Sequence, residues 1–504
     1  MKVSVVVPVY NPGRDIDDCI RSLLDQSLAA SEYEAIFVDD GSTDATPARL
    51  DELAAEHANV RVEHIPNSGW PGRPRNVGIE LARGDYVYFV DNDDWIGREA
   101  LERMHAMAVA DDADIVIGKV VGHGKSVPRN LFRRNRSGVD LEWEALLWLL
   151  TPHKLWRREF LDEHALRFPE GRRRLEDHVF VMRAYFSSPS ISVLADYPCY
   201  HWVLRDRDVN ASWGHLDPVS YFANMREVLD VVDAHTEPGP FRDRLYARWY
   251  RGKMLNRVEK VHSNPDLEHR SALYVAMHEL AVERFPESVD ARLPFNLAQR
   301  SRLLRAGDYG ELAALAELER RLRADARAVA VRPAGGVLEL ELEAQLEGLR
   351  FERDGERVTW RGADATDSLR GGSTVQLLLK QRSSQEEYRV PADVELRLVD
   401  ADGGGVRAVV VASARVDGNT AAGGAALAPG PWEVHAVAIV AGFRAVGRVR
   451  RAHGAEHLML AVASGGRVRE LRTGWRRNLR RRMPRPLVRA IREAQRAVRR
   501  RVRR

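Results

Sequence analysis

The sequence predicts an α/β protein: a Rossmann-like, mostly parallel sheet flanked by helices, followed by a helical region and a small β-sandwich. Three observations carry this. Short apolar strands alternate with segments of helical period through residue 213, the signature of strand-helix-strand units. Helical periodicity then runs without a strand signal from about Pro218 to Arg327,. Beyond the break at Arg332-Pro-Ala-Gly-Gly336, short alternating runs separated by Gly- and Asp-rich turns take over,.

In order, Val3 to Val7 is a β-branched strand, and Ile16, Ile20, Leu23 and Leu24 recur at helical spacing,. A strand at Ala35 to Val38, a helix from about Ala45 to Glu56, a strand at Val60 to Ile65, a helix at Arg75 to Ala82 and a strand at Asp85 to Val90 follow. Glu99 to Ala108 reads as a helix, Asp114 to Val121 as a strand, Asp140 to Leu161 as two short helices, Glu176 to Phe186 as a helix and Ile191 to Leu204 as a closing strand pair. In the sandwich the predicted strands are Val337 to Leu342, Leu349 to Arg353, Val358 to Arg361, Thr374 to Lys380, Val394 to Val399 and Val406 to Val411, ending near Ala463. The predicted boundaries are therefore 1–213, 214–330, 331–465 and a tail at 466–504.

A length of 504 residues exceeds one ordinary core, at roughly 150 residues per domain. Apolar residues at 44% and charged residues at 30% exclude a disordered chain and a membrane-embedded one, and no apolar run reaches the length of a membrane span. The opening MKVSVVVPVY runs into Asn-Pro-Gly rather than a small-residue cleavage site, so no secretory signal is expected,. Only Cys19 and Cys199 occur, which argues against a disulfide framework and for a reducing cytoplasm. The net charge of +4 hides an asymmetry: Arg467 to Arg504 holds 17 Arg and 2 Glu, a local +15, which leaves 4 − 15 = −11 for the remainder.

Chemistry concentrates at strand ends, where open α/β sheets bind ligands. Val38-Asp39-Asp40-Gly41-Ser42-Thr43-Asp44 ends the second strand, and a carboxylate there can accept hydrogen bonds from a uracil imide or ribose hydroxyls. The same residues also suit a helix N-terminus, and both readings can hold together. Phe89-Val90-Asp91-Asn92-Asp93-Asp94 ends another strand. Its three carboxylates repel one another unless a cation lies beside them, and Mg²⁺ or Mn²⁺ takes oxygen ligands of this kind; a polar surface turn is the alternative. Between them, the Gly/Pro-rich loop from Asn67 to Gly78, with Arg73 and Arg75, offers amides, a helix start and guanidinium forks to a diphosphate. Leu175-Glu176-Asp177-His178 opens a helix with two carboxylates in its first turn, which also suits the helix dipole.

As a set, VVVPVYNPG, VDDGSTD, the loop ending RNVGI, FVDNDDW and LEDHVF have the order and spacing of the inverting family 2 glycosyltransferases of GT-A fold, which residues 1–213 resemble. The resemblance implies a UDP-sugar donor, Mn²⁺ or Mg²⁺, and inversion at the anomeric carbon. It implies that Pro8 and Tyr10 line the nucleotide pocket, that Asp40 meets the uracil with Asp39 beside it, and that Arg75 approaches uracil or phosphate. Asn67 and Asn92 join that donor-binding set. Asp91 and Asp93 form the D-x-D pair, with Asp93 the better metal ligand. Asp177 is the implied general base and Glu176 orients the acceptor. His201, a candidate metal ligand or a structural histidine, precedes Arg205, Asn210 and Ser212, where the family places a segment that closes on the diphosphate.

The succession of catalytic, helical and β regions also resembles the wall teichoic acid glycosyltransferases, which add N-acetylglucosamine to polyol phosphate polymers. This resemblance implies an anionic polymer or other cell-surface glycan as acceptor, and a homo-oligomer, a trimer, formed through the C-terminal region. Trp475, Leu479, Met483, Leu487, Val488, Ile491 and Val498 recur among the tail arginines, so the tail can form basic amphipathic segments for an anionic membrane surface at the inner face of the plasma membrane, or attract a polyanionic acceptor. A solvated tail with no specific nucleic-acid partner is the plainer reading. Two other functions fit the same fold: a nucleotidyltransferase, whose Gly-rich phosphate loop Val9-Tyr10-Asn11-Pro12-Gly13 matches poorly,, and a non-catalytic nucleotide-sugar-binding or glycopolymer-binding protein, which would need no base at Asp177.

Overall fold

A computed structural model describes residues 1–125, 127–204, 216–381, 387–422, 426–451 and 456–471. Packing divides the chain into two units, one comprising Met1–Arg292 with Leu304–Gly307, the other Leu293–Leu303 and the chain from Asp308 onward. The predicted helical region is thus shared: its first part packs with the α/β sheet and its last part with the β region.

In the first unit the elements are β1 (Val3–Val9), α1 (Asp17–Leu24), β2 (Tyr33–Asp39), α2 (Thr46–Glu56), β3 (Val60–His64), α3 (Gly72–Leu81), β4 (Tyr86–Phe89), β5 (Trp95–Ile96), α4 (Ala100–Ala110), β6 (Ile115–His123), β7 (Arg136–Val139), β8 (Leu155–Arg157), α5 (Arg158–Glu163), α6 (Glu176–Ser187) and β9 (Ile191–Val203). The sheet runs β3-β2-β1-β4-β8-β6-β9-β5, with β7 on β9. β1 pairs in parallel with both β2 and β4, and every residue of β1 and β2 is buried, as expected of strands covered by helices on both faces. The carboxyl ends of β1, β2 and β4 therefore open onto one side. α3 lies tight against β1: a Cβ on Gly78 would stand 2.1 Å from Val6 Cγ1, so only glycine permits this approach.

Two local expectations in this unit give way to tertiary pairing. Residues 140–161 form a 3-10 turn at Glu144–Trp148, then β8 and α5, rather than two helices. Pro152 interrupts helical hydrogen bonding, and Trp156 is claimed by the sheet between β4 and β6. Residues 191–203 make one strand, not a pair; it follows β6 throughout, with register shifts opposite Gly118 and Lys119 near Pro198, where a bulge accommodates the missing amide.

Helices at Pro218–His235, Pro240–Trp249 and Leu267–Arg284 pack in the same unit, with a π-helical turn at Tyr250–Met254. No described helix is long and apolar enough to cross a membrane. Cys19 and Cys199 are both buried free thiols.

In the second unit, Arg323–Ala334 is a strand, although helix was expected as far as Arg327. Its alternate residues Ala324, Ala326 and Ala328 are buried, so small side chains fill the inward face while Ala's helical propensity masks the alternation. That strand pairs antiparallel with Val337–Glu347 and, through Ala326 to Ala328, in parallel with Phe443–Arg451, joining two halves into one ten-stranded sheet. The halves share one core containing Leu340, Val410, Trp432 and Phe443. Strands continue to Val468–Glu470, beyond the predicted end at Ala463. The tail beyond Leu471, like Arg205, Asn210 and Ser212, lies outside the described residues.

Candidate active site

A cavity of about 270 Å³ opens at the carboxyl ends of β1, β2 and β4. Pro8 and Tyr10 line one wall, Asp40 another, and Arg75, Asp91, Asn92 and Asp93 its floor, with Trp70 from the intervening loop. Side-chain hydrogen bonds hold the walls together. Asn11 Oδ1 accepts from the Thr43 amide at 2.8 Å, while the Asn11 amide donates to Ser42 Oγ at 2.9 Å. Asp40 accepts from the Ser68 amide at 2.8 Å and Ser68 Oγ at 2.9 Å, and its carbonyl accepts from Asn67 Nδ2 at 2.8 Å. Asn67 therefore supports the wall from behind. Gly41 makes this crossing possible: its φ is +72°, and a Cβ would meet the Asn67 amide nitrogen at 2.8 Å,. Asp44 Oδ1 accepts from the Thr46 amide at 3.0 Å, so part of this acidic run serves the start of α2.

Asp39 and Asp40 have different environments. Asp39 is 2% exposed; one oxygen accepts from the Ser42 amide at 3.1 Å and the other meets His64 Nδ1 at 2.8 Å. Hydrogen bonds to Asp39 and, at 3.1 Å, to Asp51 raise the His64 pKa above its ordinary value.

Arg75 is 4% exposed and spans two groups of carboxylates. Nη2 donates to Asp91 Oδ1 at 2.9 Å and Nη1 to Glu176 Oε1 at 3.4 Å. Asp91 Oδ2 accepts from His153 Nε2 at 3.0 Å. Burial would raise Asp91, but the charges and hydrogen bonds of His153 and Arg75 outweigh it and hold its carboxyl far below the usual range,. Tyr200 OH donates to Asp94 Oδ2 at 2.6 Å, and the Val203 amide donates to Asp94 Oδ1 at 2.7 Å. Even so, burial followed by the charges of Asp93 and Asp91 pushes Asp94 up to about 8. The buried Cys19 thiol is raised by burial and then by the same three aspartates. Negative potential is thus concentrated at the cavity floor, the environment that a hard divalent cation fits.

The observed acidic group with histidine is Asp91, Asp94 and His153, whose ligand atoms lie within 4.8 Å of one another. His201 sits elsewhere, stacked on Trp95 at 5.1 Å with Nδ1 2.9 Å from His123 Nε2. Strand alternation explains this: Tyr200 on β9 faces Asp94, so its neighbour faces away. His153 and Tyr200 had no motif to mark them, since their contacts with the acidic run are made across the fold.

Glu176 and Asp177 begin α6, preceded by Leu175 in the left-handed region at φ 64°, a conformation that bulky residues keep only where the surroundings enforce it. Burial, then the charge of Asp177, raises Glu176 to about 7, against Arg75. Burial also raises Asp177, opposed by Lys253 and Arg75. Cations gather on this side. Burial lowers Lys253 to about 8, Arg248 to about 10 and Lys154 to about 7, and in each case Asp177 acts in the opposite direction. Arg248 and Arg251 stack against Trp148, each 5.1 Å from the ring centroid. The π-helical turn that carries Lys253 is a backbone irregularity of the kind common at functional sites.

Residues 4–177 match Glycosyl transferase family 2 and residues 218–316 the Glycosyl transferase TarS linker domain. The poly(ribitol-phosphate) beta-N-acetylglucosaminyltransferase TarP of Staphylococcus aureus is 30% identical over 241 residues, covering 46% of this chain and 72% of that protein. The chain belongs to the family 2 glycosyltransferases. Within this glycosyltransferase family, the poly(ribitol-phosphate) beta-glucosyltransferase of Bacillus spizizenii is 39% identical over 236 residues, covering 46% of this chain but only 37% of its own length. The crystal structure of S. aureus TarS 1-349 in complex with UDP-GlcNAc matches with a TM-score of 0.57 at 28% identity, over 68% of this chain and 96% of that one.

Proposed function

We propose that this chain is an inverting glycosyltransferase that moves N-acetylglucosamine from UDP-N-acetylglucosamine to a hydroxyl of a polyol phosphate polymer. The carrying observation is Arg75, which joins the acidic floor of the cavity at Asp91 to the carboxylates that open α6 at Glu176. In this reading Pro8, Tyr10, Asp40, Asn92 and Arg75 bound the donor, and Asn67 and Asp39 brace its walls. Asp91 and Asp93 would hold Mn²⁺ or Mg²⁺, which supplies positive charge opposite the leaving diphosphate; His201 stays outside this set.

Asp177 accepts the proton of the acceptor hydroxyl. The hydroxyl oxygen forms its bond to the anomeric carbon as the bond to the UDP oxygen breaks, and one displacement inverts the centre. Glu176, held by Arg75, orients the acceptor. Burial of Asp177 raises its basicity, which favours proton removal. The surrounding Lys253, Arg248 and Arg251 suit an acceptor that carries phosphates, in line with the poly(ribitol-phosphate) named for two relatives.

We place the enzyme in the cytoplasm, consistent with two buried free thiols,, with the Arg-rich tail drawing it to anionic polymer or membrane and a homo-oligomer, a trimer, formed through the C-terminal region. Deleting residues 472–504 should weaken sedimentation with anionic vesicles and polymer affinity while sparing UDP-sugar binding; unchanged vesicle and polymer binding would refute that role. Sedimentation equilibrium of the full chain checks the oligomer, which a monomer at all concentrations would exclude.

The test of function is UDP release from a panel of UDP-sugars with Mn²⁺, with and without polyol phosphate polymer. Release is expected to require polymer, metal and Asp177, and UDP-glucose in the panel decides the sugar. Metal-dependent nucleotide binding without turnover on any polymer would refute the transferase reading.

A further inference from the structure

His153 is 3% exposed and lies 62 positions from Asp91 in sequence, yet its Nε2 is 3.0 Å from Asp91 Oδ2. A carboxylate only accepts, so Nε2 carries the proton and donates it. One face of the ring is also committed: it stacks on Tyr200 with centroids 4.1 Å apart and planes within 9°. Tyr200 OH in turn accepts from the Asp91 amide at 3.2 Å and donates to Asp94 Oδ2 at 2.6 Å. One aromatic pair therefore holds both the side chain and the backbone of Asp91.

The segment that presents His153 is itself fastened from beneath. Lys154, fully buried, donates from Nζ to the carbonyls of Leu149, at 3.0 Å, and Thr151. Trp156 Nε1 donates to the Pro152 carbonyl at 3.0 Å. Three carbonyls that precede His153 are thus fixed by two buried side chains that follow it. A side chain serving only to fill space would not need its carrier loop held this way, nor a donor directed at a carboxylate whose other oxygen is already taken by Arg75.

We propose that His153 is a positioning residue of the donor site: it acts through Asp91, fixing the carboxylate between its own imidazole and Arg75 so that the Asp91–Asp93 turn presents its oxygens to the nucleotide-bound cation. This deepens the glycosyltransferase reading and rests on it. Partners that orient a ligating carboxylate typically contribute 10- to 100-fold to metal affinity or activity.

The test is UDP and Mn²⁺ affinity of the full chain by titration calorimetry, for the wild type and for His153→Phe, His153→Gln, Asp91→Asn and the double variant His153→Phe/Asp91→Asn. Phe preserves the stack on Tyr200 but removes the donor, so UDP–Mn²⁺ affinity should fall by about 10- to 100-fold with the unfolding midpoint little changed. Gln retains an N–H donor and should recover part of the loss even if the Phe variant folds poorly. The double variant should bind no more weakly than Asp91→Asn, because both changes cut one connection. Wild-type affinity in His153→Phe, a fall in its midpoint without a change in affinity, or additive losses in the double variant would each overturn the proposal. Failure of the wild type to bind UDP would instead overturn the glycosyltransferase reading as well.

Discussion

Replacing Arg75 with Met tests the connection on which the functional reading stands. The guanidinium is 4% exposed, 2.9 Å from Asp91 and 3.4 Å from Glu176. Unit charges about 3.4 Å apart attract by about 5 kcal/mol at an effective dielectric near 20, but much of this offsets desolvation. Leaving a buried charge unpaired costs about 3–5 kcal/mol in measured cases. At roughly 2–4 °C per kcal/mol for a large domain, Tm should fall by about 6–20 °C. The loss should also depend on pH. Glu176 is already raised from 4.5 to about 7 while Arg75 pulls it down. A folded carboxyl with a raised pKa keeps a proton that the unfolded chain releases, so its contribution is most favourable below about 4.5 and is lost as pH rises to about 7,. Without Arg75 that loss extends to higher pH. Thermal unfolding of Arg75→Met should therefore show a larger deficit relative to wild type at pH 8 than at pH 5.5, and adding Glu176→Gln should recover part of it. An equal deficit at both pH values, or none, would refute the claim that Arg75 serves as counter-ion to these carboxylates.

The remaining expectations concern separate links. Asp177→Asn should lower kcat by about 10² to 10⁴-fold while UDP affinity holds, and the acid limb of the wild-type pH–rate profile should lie above 3.8, the ordinary value from which burial raises Asp177; steady-state kinetics with polymer acceptor check both, and wild-type turnover in the variant would exclude Asp177 as base. His64, raised from 6.5 by Asp39 and then Asp51, contributes stability that is complete below about 6.5 and declines as pH rises through its folded value. With its side chain 40% exposed, the contribution is about 1 kcal/mol or less, so His64→Phe should flatten the dependence of Tm on pH between 6 and 8, and an unaltered slope would count against it. Gly78→Ala forces a Cβ to within 2.1 Å of Val6 Cγ1; overpacking of this kind costs about 1–3 kcal/mol, and denaturant unfolding should show it relieved in part by Val6→Ala.

The α/β order and the location of the cavity were legible because both follow from local patterns. Apolar strands such as Val3–Val9 announce themselves by composition, and polar runs at their carboxyl ends mark the ligand side of the sheet,. Asp40, Arg75, Asp91, Asn92 and Asp93 accordingly meet at one cavity. What stayed hidden depends on distance in sequence. His153 and Tyr200 reach the acidic run over 62 and 106 positions, and no local pattern ties either of them to it. The strand Arg323–Ala334 was concealed differently, since its inward residues are alanines, whose propensity points to helix whatever the period.

Residues adjacent in a motif acquire different roles because the backbone turns them toward different neighbours. Asp39 is the last residue of β2 and buries its carboxyl against His64, whereas Asp40 follows the strand and reaches the loop at Ser68. Asp91 meets Arg75 and His153, while Asp94, within the same turn, is held by Tyr200 and Val203. On β9 the alternation sends Tyr200 to the acidic floor and His201 to His123,. A motif read from sequence therefore identifies the strand end that carries the chemistry, but each side chain's role is set by its neighbours and by whether it reaches the cavity. Asp39, Asp91 and Asp94 each have both carboxylate oxygens engaged by the protein, but of these only Asp91 also lines the cavity, together with Asp93. On that physical ground the pair that fixes Asp91, Arg75 and His153, should govern affinity at the cavity more strongly than Asp39 does.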